Sequence, residues 1–142
     1  REKASFLKEN IHPMQSSGQL NFLDIPTHGH FSKNTPLGFD VLFADGHTDK
    51  QMIPHIKYQD KTIVYVADLL PTVGHIPLPY VMGYDTRPLI TMDEKAVFLN
   101  KAADENYYIF FEHDAINQLC TVQHTEKGVR LKDTFTFNEL FN

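Results

Sequence analysis

The chain has 142 residues, 42% of them apolar, 22% charged and 12% aromatic, with a formal net charge of −5. This length and balance fit one globular domain rather than a disordered or low-complexity segment, and an acidic chain with no Lys/Arg cluster argues against nucleic acid as a partner. The lone Cys120 excludes an internal disulfide framework and a thiolate metal cage, while the absence of any apolar run near the roughly 18 residues of a membrane span predicts no membrane partner and a cytoplasmic location.

Arg1 opens the chain without a methionine, a cap or a leader, as in a polypeptide entered partway through. Residues 2–16 carry Ala4, Phe6, Leu7, Ile11 and Met14 at loose helical spacing, which predicts an amphipathic helix that Pro13 kinks or ends near His12. Residues 19–24 set Leu20 and Phe22 against Asn21 and Leu23, an alternation that predicts a strand. Two prolines and two glycines make 25–38 a loop, which holds His28 and His30. Strands follow over 39–44, 52–58 and 62–67, and the polar reversal at 59–61 pairs the last two as an antiparallel hairpin.

Residues 69–88 place four prolines among Leu70, Ile76, Leu78, Tyr80, Met82 and Tyr84. That mixture is too apolar for a solvated loop and too proline-rich for a regular element, so an ordered loop over a site is expected. Thr91 with Glu94 three residues on reads as a capping box. The helix it opens runs to about Glu105 and packs through Ala96, Leu99 and Ala103, with Phe98 and Ala102 beside them. Residues 107–111 read as a strand buried on both faces. Two more strands, 119–125 and 129–137, are joined by a turn at Glu126-Lys127-Gly128, and Phe135, Phe137, Leu140 and Phe141 form an apolar end that should dock. No repeat or linker interrupts 1–142, which reads as a single domain.

Three strand ends are each followed by a residue able to hold a metal ion: His47 in Asp45-Gly46-His47, Asp68 after Val64-Tyr65-Val66-Ala67, and His113 in Glu112-His113-Asp114. Zinc and similar ions take imidazole nitrogen and carboxylate oxygen, and a strand end fixes a ligand while its loop admits solvent. Each residue alone is an ordinary turn residue. The recurrence at three strand ends, among eight histidines set against thirteen Lys and Arg, turns the reading towards metal.

In order and context these residues resemble the second half of the metallo-β-lactamase-fold hydrolases. Gly46-His47-Thr48 is similar to the turn that supplies a metal ligand there, Ala67-Asp68 to the strand end whose carboxylate bridges two metals, and His113 to the late ligand. The likeness covers about residues 39–136. It implies an α/β fold that is half of an αβ/βα sandwich, with a largely antiparallel or mixed sheet and helices on one face. It implies two zinc ions, His47 holding one, His113 the other and Asp68 bridging as the catalytic carboxylate. A hydroxide between them would attack an ester, lactone, amide or phosphoester of a small-molecule substrate.

The family's histidine-x-histidine-x-aspartate-histidine cluster is absent. His28-Gly29-His30 has the first spacing but no following Asp-His and lies just before the strand leading to His47, so it reads as a loop pair. Since a catalytic zinc needs three protein ligands besides water, the chain alone should be inactive or a weak metal binder. The absent N-terminal half or a second copy would complete it, and an uncovered apolar face predicts a homodimer. Asp45 and Asp114, each beside a proposed ligand, are candidates to orient an imidazole. Tyr80, Tyr84 and His75 are placed either to face a substrate or to pack and solvate their loop. Arg87 would pair with a substrate carboxylate, or with Asp85 or Asp93. His12, His55 and His124 read as surface residues, and Cys120 as a buried strand thiol. A second reading, from another class, is a non-catalytic binding or assembly module with residues 76–84 as its contact surface.

Overall fold

Runs of β-branched and aromatic residues bounded by turn residues build most of the chain into one sheet. The computed structural model describes residues 6–26, 30–33 and 35–141, so His28 and Gly29 lie outside the described residues. Seven strands follow in chain order: β1 (Phe31–Ser32), β2 (Asp40–Ala44), β3 (Gln51–Tyr58), β4 (Lys61–Tyr65), β5 (Tyr108–Phe110), β6 (Leu119–Thr125) and β7 (Gly128–Phe135). Each pairs with its sequence neighbour. All pairs are antiparallel except β4 with β5, which run parallel because helix α2 (Pro88–Asp104) crosses over between them. The reversals into β3 and β4 place Lys50 (φ 56°) and Gln59 (φ 55°) in the left-handed region, as tight turns require.

The pleat sorts the side chains. Ile53, Val64, Ile109, Cys120 and Val122 join Phe98, Leu99 and Ala102 of α2 in the buried core, and removing that apolar surface from water is the main stabilising term. Tyr65, Tyr108, Phe110 and Phe135 lie on the other face, where rings meet edge to face or tilted: Tyr65 with Phe110 at 5.7 Å, Tyr108 with Phe135 at 5.7 Å. Short α3 (Phe137–Phe141) lays Phe137 against Phe110 at 5.0 Å on this face. Ile56 and Tyr58 stay exposed there. Helix α1 (Lys8–Ser16) buries no residue and includes Pro13, which has no N–H to donate within it. Among the described residues no helix is long and apolar enough to cross a membrane.

Several expectations are corrected. Residues 19–26 form no strand, since the edge of β2 is already taken by β1 through Phe31 and Leu42, and alternation without a partner does not hold. Helix α2 starts three residues before Thr91, with Pro88 in its first turn, a position that costs nothing because that N–H has no intrahelical partner. Glu94 is thereby free for another partner. A capping box forms instead at Thr136 and Glu139, where the Glu139 carboxylate accepts the Thr136 N–H at 2.6 Å and Glu139 N–H reaches Thr136 Oγ1 at 3.3 Å. It ends β7 at Phe135 and opens α3. The buried stripe of α2 is Thr91, Lys95, Phe98, Leu99 and Ala102, with Ala96 and Ala103 only at its margin.

His55 is buried, not a surface residue: only 3% of it is exposed. Its Nδ1 bonds to Ile53 O at 3.0 Å and its ring packs against Phe31, Phe98 and Tyr107. Strand alternation alone cannot tell which face is covered, and His55 lies on the α2 side. Burial holds its pKa below the ordinary histidine value. The unfolded chain therefore binds a proton first on acidification, and stability is lost as pH falls below about 6.5 towards the depressed folded value. Urea midpoints at pH 7.5 and 5.0 should drop accordingly, and His55→Phe should shrink that drop; an unchanged drop in the variant would show that other groups carry it.

Candidate functional site

The turn after β2 is held by backbone it touches directly. A Cβ on Gly46 would sit 2.3 Å from Thr91 N and Oγ1 and 2.5 Å from Thr91 Cα, so only glycine lets the turn lie against the first turn of α2. The Glu94 carboxylate accepts the N–H groups of Asp45 (2.6 Å) and Gly46 (3.0 Å). From the other side, Arg87 N–H donates to Gly46 O at 2.9 Å and Thr86 N–H to His47 O at 3.2 Å. His47 thus projects from a turn clamped at four backbone groups.

Asp68 follows Ala67, whose left-handed backbone (φ 43°) is unusual for a residue with a side chain. That twist ends β4 and starts a 3-10 turn, Ala67–Leu69, which swings the carboxylate off the strand. His113 leaves the chain just past β5. The parallel pairing of Tyr65 with Phe110 puts the ends of β4 and β5 at one rim. There Tyr65 Oη donates to Glu112 at 2.5 Å, and burial, then that bond, pushes the phenol up to about 12.

At this rim the three side chains converge. His47 Nε2 lies 3.4 Å from Asp68 Oδ2, and His113 Nε2 lies 3.1 Å from Asp68 Oδ1. One carboxylate therefore faces two imidazoles, one per oxygen. Behind His47, Nδ1 meets Asp85 Oδ1 at 2.8 Å, and the Asp85 side chain is fully buried. If Nδ1–H goes to Asp85, the Nε2 of a neutral ring faces a carboxylate oxygen, a contact that an added proton or another positive charge makes favourable.

A metal ion is one such charge, and the donor set fits it in part. Bonds of about 2.0–2.1 Å at tetrahedral angles put ligand atoms about 3.3–3.4 Å apart, close to the two separations measured here. Yet each position gathers only one imidazole and one oxygen. Among the described residues no group of three or more His, Cys, Asp or Glu is disposed to hold a metal ion. The arrangement is two half-sets sharing one carboxylate.

The remaining candidates divide. The Asp45 carboxylate turns away from His47 to Lys50, bonding its N–H and ammonium; burial raises its pKa but the Lys50 contacts outweigh this and leave it low. Asp114 accepts the N–H groups of Val73, Ile116 and Asn117, which fastens two loops together and holds its pKa down against burial. Arg87 donates to Asp45 O at 2.7 Å and to Asp49 at 2.5 Å. Tyr84 stands edge-on to His47 with ring centres 6.4 Å apart, while Tyr80 gives its carbonyl to Lys95 and leaves its ring in solvent. His75 bonds Thr72 Oγ1 at 2.9 Å, and burial lowers its pKa. With His113, Tyr84, Pro71 and Met82 it lines a cleft of about 370 Å³.

Sequence reasoning missed Asp85, Glu94 as the turn clamp, and Lys95. Asp85 gave no signal, being one polar residue in an irregular loop. Lys95 did give one: it lies four residues after Thr91 and four before Leu99, a charge on the apolar stripe.

No protein-family model and no curated protein matches the chain. Solved structures do. The chain superposes on a hydrolase named AbOPH of the beta lactamase superfamily with a TM-score of 0.72, 16% identity, 91% of this chain and 43% of that one. It superposes on a probable metal-dependent hydrolase from Staphylococcus aureus with a TM-score of 0.63, 22% identity, 84% of this chain and 42% of that one. AidC, a dizinc quorum-quenching lactonase solved with a product, matches with a TM-score of 0.63, 22% identity, 95% of this chain and 47% of that one. The chain therefore has the metallo-β-lactamase fold over a stretch consistent with its C-terminal half, and spans less than half the length of the structures it matches.

The Gly46 contact yields a direct test. Gly46→Ala drives a methyl into helix backbone, which cannot yield as a flexible side chain would, and should destabilise by about 1–3 kcal/mol. Chemical denaturation of the variant measures this; a loss within error would mean the turn stands off the helix.

Proposed function

We propose that this chain supplies one half of a two-cation hydrolytic site acting on a neutral acyl centre, an ester or lactone. The observation that carries the reading is the Asp68 carboxylate facing His47 through one oxygen and His113 through the other. His47 and Asp68 would hold one ion, His113 and Asp68 the second, with the further ligands supplied from outside this chain's described residues. Zinc is the ion proposed, by the dizinc nature of one structural neighbour and by the imidazole and carboxylate donors. When bound, such ions acidify water and withdraw charge from an acyl oxygen.

The chain's own residues do the rest. Asp85 fixes the His47 ring by accepting its Nδ1–H, leaving Nε2 to face the site. The cleft beside His113 gives the substrate its place, with Tyr84 and Met82 as apolar wall and His75 as a hydrogen-bonding group. Among the described residues, no Lys, Arg, Asp or Glu side chain lines it. Such a lining suits an uncharged acyl group, and any charge on a phosphate ester would be met by the bound cations alone.

Completion by an N-terminal half or by a second copy belongs to the same proposal. The partly exposed aromatic face around Tyr65 and Phe110 is the surface such a partner would cover. On this view the chain by itself is inactive and self-associates, as a homodimer. The competing reading, a non-catalytic module, predicts no metal and no turnover in any context.

Metal analysis and turnover assays on the protein expressed from its complete reading frame decide between them. Two zinc ions per chain and hydrolysis of lactones or neutral esters at least ~10-fold faster than of phosphomonoesters are expected, with Asp68→Asn abolishing turnover. In the same protein, Asp85→Asn should weaken zinc affinity about 10- to 100-fold. A protein that is metal-free after zinc exposure, or that retains full turnover in Asp68→Asn, would sink the hydrolase reading.

A further inference from the structure

The two imidazoles at the rim are held by different means. His47 has the buried Asp85 behind its ring, with Nδ1 and Oδ1 2.8 Å apart, and it leaves a turn whose N–H groups Glu94 binds. Among the described residues the ring of His113 has one hydrogen-bonding partner, Asp68 Oδ1 at 3.1 Å. The His113 side chain is 49% exposed and that of Asp68 26%, and an ion pair so open to water does little to fix either partner. What places His113 has to come from its neighbours in the chain.

Those neighbours are both carboxylates, and both reach the segment that carries Asp68. Glu112, just before His113, accepts the hydroxyl of Tyr65 at 2.5 Å, and Tyr65 lies three residues ahead of Asp68. Asp114, just after His113, accepts the N–H of Val73 at 3.0 Å, and Val73 lies five residues beyond Asp68. The contact between His113 and Asp68 is therefore bracketed by two ties that join the same two stretches of chain. The ties differ in kind. Asp114 Oδ1 also accepts the N–H groups of Ile116 and Asn117, which commits that carboxylate to shaping its own loop. Among the described residues Glu112 has Tyr65 as its partner, through a short bond of hydroxyl to carboxylate, the stronger charge-assisted class. The Tyr65 ring rests against Phe110 of β5, with centres 5.7 Å apart, so its hydroxyl is delivered from a braced position.

We propose that Tyr65 is a positioning residue for His113: its bond to Glu112 fixes the residue next to the imidazole against the strand that leads to Asp68, and so sets the separation of the two side chains. A ligand pair already held at its separation loses less freedom when an ion arrives. This rests on the reading of Asp68 and His113 as cation ligands, but its test uses metal-free protein, so failure here leaves the zinc and turnover results to stand or fall by themselves.

The ring ¹H and ¹⁵N signals of His113 and His47 in wild type, Tyr65→Phe, Glu112→Ala and Glu112→Gln provide the test. Tyr65→Phe removes one hydroxyl and should shift the His113 signals while leaving those of His47 in place. Glu112→Ala should shift His113 too, and adding Tyr65→Phe to it should shift nothing further, since either change removes the same bond. Glu112→Gln loses the same charge as Glu112→Ala but keeps an oxygen for the hydroxyl, and should return His113 towards wild type. Unmoved His113 signals in Tyr65→Phe, a His47 shift as large as that of His113, or Glu112→Gln behaving as Glu112→Ala overturns the proposal. If Tyr65→Phe does not fold, the two substitutions at exposed Glu112 decide by themselves.

Discussion

The fit of Gly46 against the backbone of Thr91 is the constraint on which the site depends. Because no side chain intervenes, the first turn of α2 and the turn after β2 meet as two pieces of main chain. The Glu94 carboxylate, reaching back to two N–H groups, makes that meeting directional. His47 is therefore placed relative to the helix and not merely to its own strand. The same helix turns its next residue, Lys95, into the loop on the other side. Two adjacent residues of opposite charge thus bond two separate segments, the turn after β2 and residues 77–80.

Convergence at the rim follows from this frame. The parallel step from β4 to β5 brings Asp68 and His113 side by side. The antiparallel strands before it bring His47 round to the same end. Nothing in the separate segments requires the three to meet, and each would be an ordinary turn residue in another sheet. Their meeting on one carboxylate depends on strand direction and on which strands are neighbours.

Much of this was legible in the amino-acid sequence, and the limits have physical causes. The strands around 40–44, 51–58 and 119–125 are dense in β-branched and aromatic residues and end in polar turns, so composition alone locates them. The three ligand candidates were legible because each follows such a run. The strand expected over 19–24 failed because alternation describes a surface and not a partner. The capping box expected at Thr91 and Glu94 failed because the same spacing serves a helix interior, where Glu94 found two N–H groups from a distant turn. Asp85 and His55 lie beyond local pattern altogether: whether a lone carboxylate or imidazole is buried is decided by residues far away in sequence, here His47 and the rings of Phe31, Phe98 and Tyr107.

The strictly sequential order of the strands bears on how the chain assembles. Every strand docks on the one made just before it, so the entropy of closing each loop is small, except for the single long excursion through α2 between β4 and β5. His47 and Asp68 belong to the block that zips up locally, ahead of that excursion. His113 belongs to the block beyond it. The rim thus joins side chains from both sides of the longest connection in the sheet, the contact whose loop closure carries the largest entropy cost.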